Sequence, residues 1–376
     1  MVRLDEALKA ADLIPDLKVA EAAMRVAEFG VQAAGRWPDP SFTFATRSIT
    51  AKESYALSAP LPWPGRGARL AVAKAAAEIA GTERQAARLM GRRAMRLAWF
   101  TLAAREDLAA AALERASRMR KTAEAVAALY DAGRIALVES SRGRVDAAIA
   151  NAEQTKAEEE RRIAESVLRR LLGIEDATRI EVERPTPLFD VAASLDMALT
   201  GALTRSPASK AAEAQLKAAE ASLRLASALR FPGISVELGA DRNDPTQPGT
   251  DRAIGVNLTV PLGSGPALAI ARAERDRAIA LREQVKREAK DAVEGAWRTA
   301  RAERIRYEAL RDEALPAATQ AADLAQIAYH EGRFDIFRLL DAERALAETR
   351  SGLAEAYLAW GVAYAELLSA MGEEGE

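Results

Sequence analysis

The chain has 376 residues, a formal net charge of −2, no cysteine and a single histidine. This composition excludes disulfides, cysteine-based zinc sites and Cys–His nucleophile pairs, and the small net charge gives no electrostatic reason to expect a nucleic-acid partner. Hydrophobic residues make up 49% of the chain but aromatic residues only 5%. Alanine-rich helices pack closely without filling a bulky core, so the composition predicts long helices in a thin bundle.

The first half of the chain begins with two helices and a β-hairpin. Residues 4–8 (LDEAL) begin a short helix that Pro15 interrupts, since proline removes a backbone donor and clashes with the preceding turn. A second helix is predicted over residues 16–34. Alternation of side-chain type by twos over residues 41–48 and 54–61 predicts two strands joined by a turn near residues 50–53.

Two long helices follow the hairpin. Residues 66–130 contain no proline and few glycines, so they predict one helix about 100 Å long. A returning helix is predicted over residues 137–172 and is closed by Gly173. No globular domain needs a helix of this length, so the pattern indicates an extended helical hairpin.

The same order of landmarks recurs after residues 183–187 (ERPTP), which predict a linker. LDMAL at 195–199 corresponds to LDEAL, and RFP at 230–232 corresponds to RWP at 36–38. Strands are predicted over 234–240 and 253–260, with a loop over the intervening residues.

A second long helix is then predicted to run to residue 331. The returning helix carries a stripe of mostly apolar residues that steps by 3 and 4, as in a heptad seam with one local stutter. The stripe comprises Leu339, Ala342, Leu346, Thr349, Leu353, Tyr357, Trp360, Tyr364, Leu367 and Met371.

These landmarks predict a tandem duplication, with the first structural repeat at residues 1–185 and the second at 186–376. The expected parts, in chain order, are helices 1–35, β-hairpin 40–62 and long helical hairpin 66–173, then helices 190–229, β-hairpin 232–262 and long helical hairpin 266–371.

The short strands need partners. An isolated two-stranded hairpin is barely stable in water, and open strand edges invite pairing. Strands of about 8 to 10 residues approach the length of a tilted transmembrane strand, and closure with strands from other chains would remove every edge, as lipid requires. The candidates for a lipid-facing apolar band are Phe42, Phe44, Tyr55, Ile234, Val236, Val256, Leu258 and Val260.

No residue pattern indicates catalysis, a cofactor site or a metal site. His330 has no cysteine or second histidine beside it and is interpreted as a surface residue. The scattered methionines form no cluster of soft metal ligands. Residues 263–268 (GSGPAL) lack the lysine and the third glycine of a phosphate loop and are interpreted as a turn.

The ordered duplication, the two glycine turns at Gly133 and Gly332, the LLDAERAL segment at 339–346 and the RWP and RFP boundaries resemble the outer-membrane efflux proteins, the TolC-like family. The segment PLPWPGRGARLAVAKA at 60–75 is most similar to its heavy-metal branch. The resemblance implies a mainly α fold with a small β part, in which tandem-duplicated helical hairpins of three chains form an α-barrel. Four strands from each chain would form a 12-stranded transmembrane β-barrel in outer-membrane lipid.

The resemblance further implies a passive channel in the outer membrane of a Gram-negative bacterium, with a periplasmic extension. Such a homotrimer would export metal cations or small toxic compounds. A periplasmic adaptor protein would connect it to an inner-membrane pump of the resistance-nodulation-division type. This chain's amphipathic N-terminus lacks the pattern of a secretory signal.

Carried over onto this sequence, the family's adaptor-docking positions are Gly133, Arg134, Ile135, Leu137 and Glu139 in the first turn, and Gly332, Arg333, Phe334, Asp335, Ile336, Leu340 and Asp341 in the second. The candidates for charges at the channel aperture are Glu139, Arg338 and Asp341. Arg338 stands where the family can carry an acid, which departs from the usual acidic ring.

A soluble coiled-coil scaffold, assembled through its small hairpins, is the alternative from a different class of protein. The two readings differ in whether the outward residues of the hairpins meet lipid. Membrane barrels carry girdles of aromatic residues at both interfaces, and the sequence shows no dense girdle of this kind.

Overall fold

The computed structural model of the chain describes residues 2–47, 52–62, 65–175, 179–183, 194–244 and 247–373. Most of these residues are helical, and four strands form one small sheet, which confirms the predicted fold class. The helices are α1 (Leu4–Ala10), α2 (Pro15–Gly35), α3 (Arg66–Asp131), α4 (Leu137–Leu172), α5 (Leu195–Arg205), α6 (Pro207–Ala228), α7 (Gly265–Ala309), α8 (Leu315–His330) and α9 (Ile336–Met371). The strands are β1 (Ser41–Arg47), β2 (Lys52–Pro60), β3 (Gly233–Asp244) and β4 (Gln247–Thr259).

The two hairpins pair with each other inside one chain. The strand order is β1-β2-β3-β4, and every neighbouring pair is antiparallel. The link between the hairpins is the β2–β3 ladder, in which Leu57 lies opposite Leu238. This ladder gives each hairpin a partner, although β1 and β4 remain at the edges of the sheet.

The second hairpin is longer than the alternation of its residues predicted. Residues 241–251 were expected to form a loop, but β3 continues to Asp244 and β4 begins at Gln247. The ladder carries this extension, because Asp241 lies opposite Asp251 and Arg242 lies opposite Thr250. Cross-strand pairing therefore overrides the turn-forming preference of these residues. The predicted linker at 183–187 lies outside the described residues except for Glu183. Of the predicted turn near 50–53, residues 50 and 51 lie outside the described residues, while Lys52 and Glu53 begin β2.

The second long helix also differs from the prediction of one continuous helix. Residues Leu310–Ala314 form a π-helical turn between α7 and α8, in which the backbone N–H of Leu315 donates to the carbonyl of Leu310. Pro316 follows directly and has no N–H to continue the regular ladder, which accounts for the interruption. Helix α3 has no such break over its 66 residues.

The chain divides into two compact units. The first unit contains Met1–Leu17, Ala87–Ser206 and Ala289–Glu376. The second contains Lys18–Ala86 and Pro207–Glu288, and therefore the whole sheet. Each unit draws on both halves of the sequence. The division into two sequence repeats at residue 185 stays a prediction.

The first unit has an aromatic core around Phe100. The ring centroid of Phe100 lies 5.1 Å from that of Trp99, 5.6 Å from Trp360 and 5.7 Å from Tyr357. All four side chains are buried. The C-terminal part of the predicted stripe on α9, from Tyr357 to Met371, belongs to this core. Along the whole stripe, Leu339, Leu346, Tyr357, Trp360, Tyr364, Leu367 and Met371 are buried, and Ala342, Thr349 and Leu353 are half-buried. The stripe is a packing surface, as its periodicity predicted.

The second unit is held by helix packing and by polar links near the sheet. Small apolar side chains of α6, including Ala212, Ala214 and Ala221, are buried. The guanidinium of Arg66 donates to the carbonyl of Gly35 from Nε at 3.1 Å and from Nη2 at 2.7 Å, which joins the start of α3 to the end of α2. Within the described residues, no helix has both the length and the apolar character needed to cross a membrane.

Candidate functional site

The two glycine turns that end the long helices have the same backbone geometry. Gly133 has φ +70° and Gly332 has φ +71°, in the left-handed region that glycine adopts without strain. In the first turn the N–H groups of Gly133 and Arg134 donate to the carbonyls of Tyr130 and Leu129.

The second turn repeats this bonding, since Gly332 and Arg333 donate to Tyr329 and Ala328. These bonds close the helix ends in the manner of a Schellman motif. The glycines therefore cap α3 and α8.

The second turn also organises the start of α9. The carboxylate of Asp335 accepts a hydrogen bond from the backbone N–H of Arg338 at 2.9 Å, which caps the helix. The guanidinium carbon of Arg338 lies 5.1 Å from the centre of the Phe334 ring. This cation–π contact fixes two exposed side chains relative to each other.

The first turn begins α4 without a side-chain cap, since Ala136 stands at the position that Asp335 occupies in the second. Leu137 and Val138 are exposed there, with 55% and 65% of their surface accessible. Glu139 lies in the first turn of α4, where its negative charge interacts favourably with the helix dipole. The first turn is thus more apolar on its surface and the second is more polar.

The two turns are joined by a small apolar cluster in the first unit. Ile336 is 1% exposed and Leu340 is buried beside it, and both belong to a cluster that includes Val126 of α3. Ile135 of the first turn and Tyr329 of the second pack against this cluster. Burial and, to a smaller extent, the charge of Glu139 raise the pKa of the Tyr329 hydroxyl. The structure thus brings together side chains from both predicted turns.

The predicted docking residues divide by exposure. Ile336 and Leu340 are buried, and Ile135 and Glu139 are half-buried. The remaining members are exposed: Gly133, Arg134, Leu137, Gly332, Arg333, Phe334, Asp335 and Asp341. Of the three aperture-charge candidates, Arg338 and Asp341 are exposed while Glu139 is half-buried, and its charge acts on the half-buried Tyr329. The exposed residues are the ones available to a partner, and the buried ones support the turns from inside.

A charged network lies on α3, α8 and α9 above this cluster. Arg118 of α3 donates to Glu343 of α9 at 3.4 Å and to Glu114 at 2.6 Å, and its Nη1 lies 3.9 Å from Asp323 of α8. Glu114 also accepts a hydrogen bond from Arg350 of α9. The network therefore ties the second helical hairpin to the first.

Glu343 is the buried member of this network. Its side chain is only 6% exposed. Burial raises the pKa of this carboxyl, although the neighbouring Arg118 opposes the effect. The sequence motifs did not point to Glu343. A signal was present, because Glu343 follows Leu339 by four residues and so lies on the buried side of α9.

The sheet in the second unit has one apolar face. Register places the following side chains on that face: Phe42, Phe44, Tyr55, Leu57, Ile234, Val236, Leu238, Ile254, Val256 and Leu258. Several are highly exposed in the single chain, with Ile254 reaching 81%. The residues predicted for an apolar band therefore share one face, except that Val260 follows the end of β4.

The opposite face of the sheet is polar or small. It carries Ser41, Thr43, Ser54, Ser58, Ser235, Glu237, Asp241, Asn257 and Thr259. Lys52 pairs with Asp241 at 2.8 Å on this face, and Asn257 donates to Glu237 at 2.5 Å. A sheet with one apolar and one hydrated face fits a boundary between lipid and water.

Comparison with known proteins relates the second half of the chain to one family. Residues 198–373 match the family of outer membrane efflux proteins. The pyoverdine export outer membrane protein OpmQ of Pseudomonas aeruginosa is 29% identical over 180 residues. That alignment covers 45% of this chain and 37% of OpmQ, so it spans just over a third of that relative's length.

Solved structures resemble almost the whole chain. The outer membrane protein VceC of Vibrio cholerae superposes with a TM-score of 0.81 at 20% identity, covering 98% of this chain and 96% of VceC. The CmeC outer membrane channel of Campylobacter jejuni gives 0.83 at 15% identity, covering 99% of this chain and 87% of CmeC. At these identities the similarity establishes the fold.

The comparisons support the resemblance to the efflux proteins over residues 198–373, and over the rest of the chain they show the fold. The predicted similarity to the heavy-metal branch is not confirmed, because OpmQ is named for pyoverdine export. The chain has the fold of VceC and CmeC over nearly its full length, and its residues 198–373 match the outer membrane efflux protein family.

Proposed function

We propose that this chain is one protomer of a passive, homotrimeric efflux channel in the outer membrane. Its sheet would supply four of twelve strands in a barrel, and its helices would extend the conduit into the periplasm. The chain performs no chemistry in this role. Energy would come from an inner-membrane pump.

The two-faced sheet is the observation that carries the proposal. Its apolar face is exposed in the single chain, and its edge strands β1 and β4 each have only one strand neighbour among the described residues. Unpaired backbone groups and exposed apolar side chains are both costly in water. Closure with two further copies would pair both edges, place the apolar face against lipid and leave the polar face around a lumen.

We also propose that the two glycine turns dock a periplasmic adaptor protein. The exposed members of the turns combine apolar surface (Leu137, Phe334) with charge of both signs (Arg134, Arg333, Asp341). Such a mixed patch suits a specific protein contact. Beneath it, the cluster around Ile336 holds the two turns as one surface.

The network around Arg118 supports a gated end of the conduit. It joins α9 to α3, so that separating the second hairpin from the first requires the Arg118–Glu343 contact to break. Because Glu343 is buried, its carboxylate would lose a compensating cation in that step. We propose that this network favours the closed arrangement of the turns.

The exported material is proposed to be small toxic compounds or metal cations, selected mainly by the pump and adaptor. The name of OpmQ, at 29% identity, favours an exported small organic compound over a metal ion. The similarity of residues 60–75 to the heavy-metal branch favours the metal ion. Efflux assays with both substrate types in a strain that lacks its own channel would decide between them.

The experiment that tests the channel is oligomeric mass measured together with cellular location. The chain would be expressed with a secretory signal peptide, the membranes separated, and the detergent-extracted protein weighed by native mass spectrometry. A trimer in the outer-membrane fraction is expected. An exported monomer or dimer in the soluble fraction would overturn the proposal and favour a coiled-coil scaffold.

A further inference from the structure

Two corners at the helical end of the sheet repeat the order arginine, aromatic residue, proline. Arg36-Trp37-Pro38 follows α2, and Arg230-Phe231-Pro232 follows α6. Trp37 is 62% exposed and Phe231 is 60% exposed. Large aromatic side chains exposed to this extent at matching positions need an explanation other than core packing.

The backbone explains why the corners project their side chains. The N–H of Arg36 donates to Ala33, and the N–H of Phe231 donates to Ala228, so each helix ends in a tight turn. The proline that follows cannot continue a helix and directs the chain into a strand. Pro38 and Phe231 line the same cleft of about 420 Å³, which shows that the two corners are neighbours.

The surroundings of the corners are basic. Arg36 and Arg230 are exposed, and Arg69 lines the same cleft as Phe231. In the part of the chain that the structure describes, none of these three guanidinium groups forms an ion pair. Arg66 is held by the carbonyl of Gly35. The nearby acid in sequence is Asp39, so four arginines stand against one carboxylate.

The corners lie at the edge of the apolar face. Phe231 precedes Ile234, the first member of that face on β3, by three residues. The face continues along β3 through Leu238. A strand tilted by about 40° advances roughly 2.6 Å per residue along the membrane normal, so residues 231–240 span about 23 Å. This is close to the roughly 25 Å of an outer-membrane apolar band.

We propose that the two corners form a binding surface for anionic glycerophospholipid headgroups at the helical end of the sheet. Arg36 and Arg230 bind the lipid phosphate, and the rings of Trp37 and Phe231 lie at the boundary between headgroup and acyl chain. Aromatic rings favour this depth, and arginine binds phosphate with paired donors. The inference rests on the proposed channel function, which places this end of the sheet at the periplasmic leaflet.

The test is a lipid titration of the intact protein in detergent by native mass spectrometry. Phosphatidylglycerol is added to the wild type, to the double variant Arg36→Gln/Arg230→Gln and to a control double variant, Arg25→Gln/Arg277→Gln. The control removes the same charge from exposed positions of α2 and α7 in the same unit. Each arginine near an anionic lipid strengthens binding roughly fivefold, so the corner variant is expected to bind about 25-fold more weakly. The control is expected to bind as the wild type does.

The same spectra separate this inference from the channel proposal. Loss of the trimer in the wild type would contradict the channel. A trimer whose corner and control variants bind phosphatidylglycerol equally would overturn the corner site alone. A parallel titration with lipid A identifies the source of the phosphate. A corner variant that loses lipid A but keeps phosphatidylglycerol would overturn the assignment to glycerophospholipid.

A second measurement tests the position of Trp37. The wild type and Trp37→Phe are reconstituted into phosphatidylcholine–phosphatidylglycerol vesicles, with and without bromine on the acyl chains near the headgroup. Bromine quenches a tryptophan that contacts it. The wild type is expected to lose more fluorescence than Trp37→Phe, because the variant lacks the ring at that depth. Equal fractional quenching of the two proteins would remove Trp37 from the lipid boundary.

Discussion

Arg118 of α3 reaches Glu343 of α9 across 225 residues of sequence, with 3.4 Å between Nη1 and Oε1. The pair is unequal in exposure, since the Glu343 side chain is 6% exposed and the Arg118 side chain 21%. Arg118 also bonds Glu114, so it keeps one partner if Glu343 is changed. Glu343 depends more strongly on Arg118 than Arg118 depends on Glu343.

This asymmetry gives a prediction for stability. Arg118→Gln leaves a buried carboxylate without the cation that hydrogen-bonds it, although the charge of Arg350 still acts on it, and is expected to destabilise the first unit by about 3 kcal/mol. Glu343→Gln removes the charge that burial opposes and is expected to cost less than about 1 kcal/mol. Thermal unfolding checks both variants. Arg298→Gln, which removes an exposed pair with Glu294, serves as the control and is expected to change little.

The pH dependence of the same group has a definite sign. Burial raises the pKa of Glu343 above its ordinary value, so the folded protein holds this proton more tightly than the unfolded chain does. The contribution of Glu343 to stability is therefore greatest below the unfolded pKa and is lost as the pH rises through the folded pKa. The loss of stability caused by Arg118→Gln, relative to the wild type, should increase from acidic to neutral pH. A loss of stability that decreases over this pH range would contradict the raised pKa of Glu343.

The glycine turns give a prediction for efflux. Gly133→Val and Gly332→Val place a branched side chain at positive φ and are expected to distort the docking turns, which abolishes efflux while the trimer persists. Gly173→Val is the matched control, because Gly173 has φ +68° with open space around it but ends α4. Efflux and native mass are measured together. Normal efflux in both turn variants would remove the docking role.

Two glycines inside α9 should respond in opposite directions to alanine. A Cβ at Gly361 would lie 2.4 Å from the Phe100 ring, so Gly361→Ala is expected to destabilise by about 1–3 kcal/mol. A Cβ at Gly352 would meet nothing within 4 Å, so Gly352→Ala is expected to stabilise by up to about 1 kcal/mol. Melting temperatures of the two variants check the close packing of α9 on Phe100. Equal shifts of the same sign would argue against it.

The two faces of the sheet can be separated by adjacent substitutions in β4. Ile254→Arg places a charge on the apolar face and is expected to cost about 2–4 kcal/mol in the membrane, with a matching loss of assembled trimer. Ala253→Arg places the same charge on the polar face and should be tolerated. Trimer yield in the outer-membrane fraction is the measurement. Equal yields would mean that the apolar face does not meet lipid.

Asp12 supplies a prediction for acid stability. It bonds Arg88 at 2.9 Å and Arg92 at 3.2 Å, and chiefly the Arg88 hydrogen bond lowers its pKa to about 2. A carboxyl with a lowered pKa stabilises the folded state at pH values above its unfolded-state pKa. This stabilisation is lost as the pH falls through its folded-state pKa. The wild type should therefore lose stability between about pH 4 and pH 2 relative to Asp12→Asn. Glu21→Gln, at an exposed site on α2, is the control and should keep the wild-type profile in unfolding scans.

Helix ends were predictable where local chemistry determines them. The predicted returning helix, 137–172, agrees with α4, because Gly173 ends it in the left-handed conformation. The strand extension to Asp244 was not predictable, because its support comes from pairing with β4 and not from its own residues. The β2–β3 ladder likewise joins segments about 180 residues apart, and their alternation does not reveal that partner.

The candidate site shows the same limit. The glycine turns follow from residues close in sequence, so pattern reasoning finds them. The Asp335 cap is equally local, although the sequence pattern did not predict it. The Arg118–Glu343 contact requires knowing which face of α9 meets α3, and single-sequence periodicity gives only the face and not its neighbour. The electrostatic effect of Glu139 on Tyr329 depends on the two turns meeting, which is also a tertiary property.

The π-helical turn at Leu310–Ala314 makes the two outgoing arms mechanically different. A π turn has wider and weaker backbone bonding than an α-helix, so bending strain concentrates where it occurs. The first outgoing arm, α3, is one unbroken helix. The second arm, α7 and α8, bends more easily at the π turn, about sixteen residues before its end. A force applied at the second glycine turn would therefore bend the second arm at the π turn and rotate α8, whereas α3 has no such bending point.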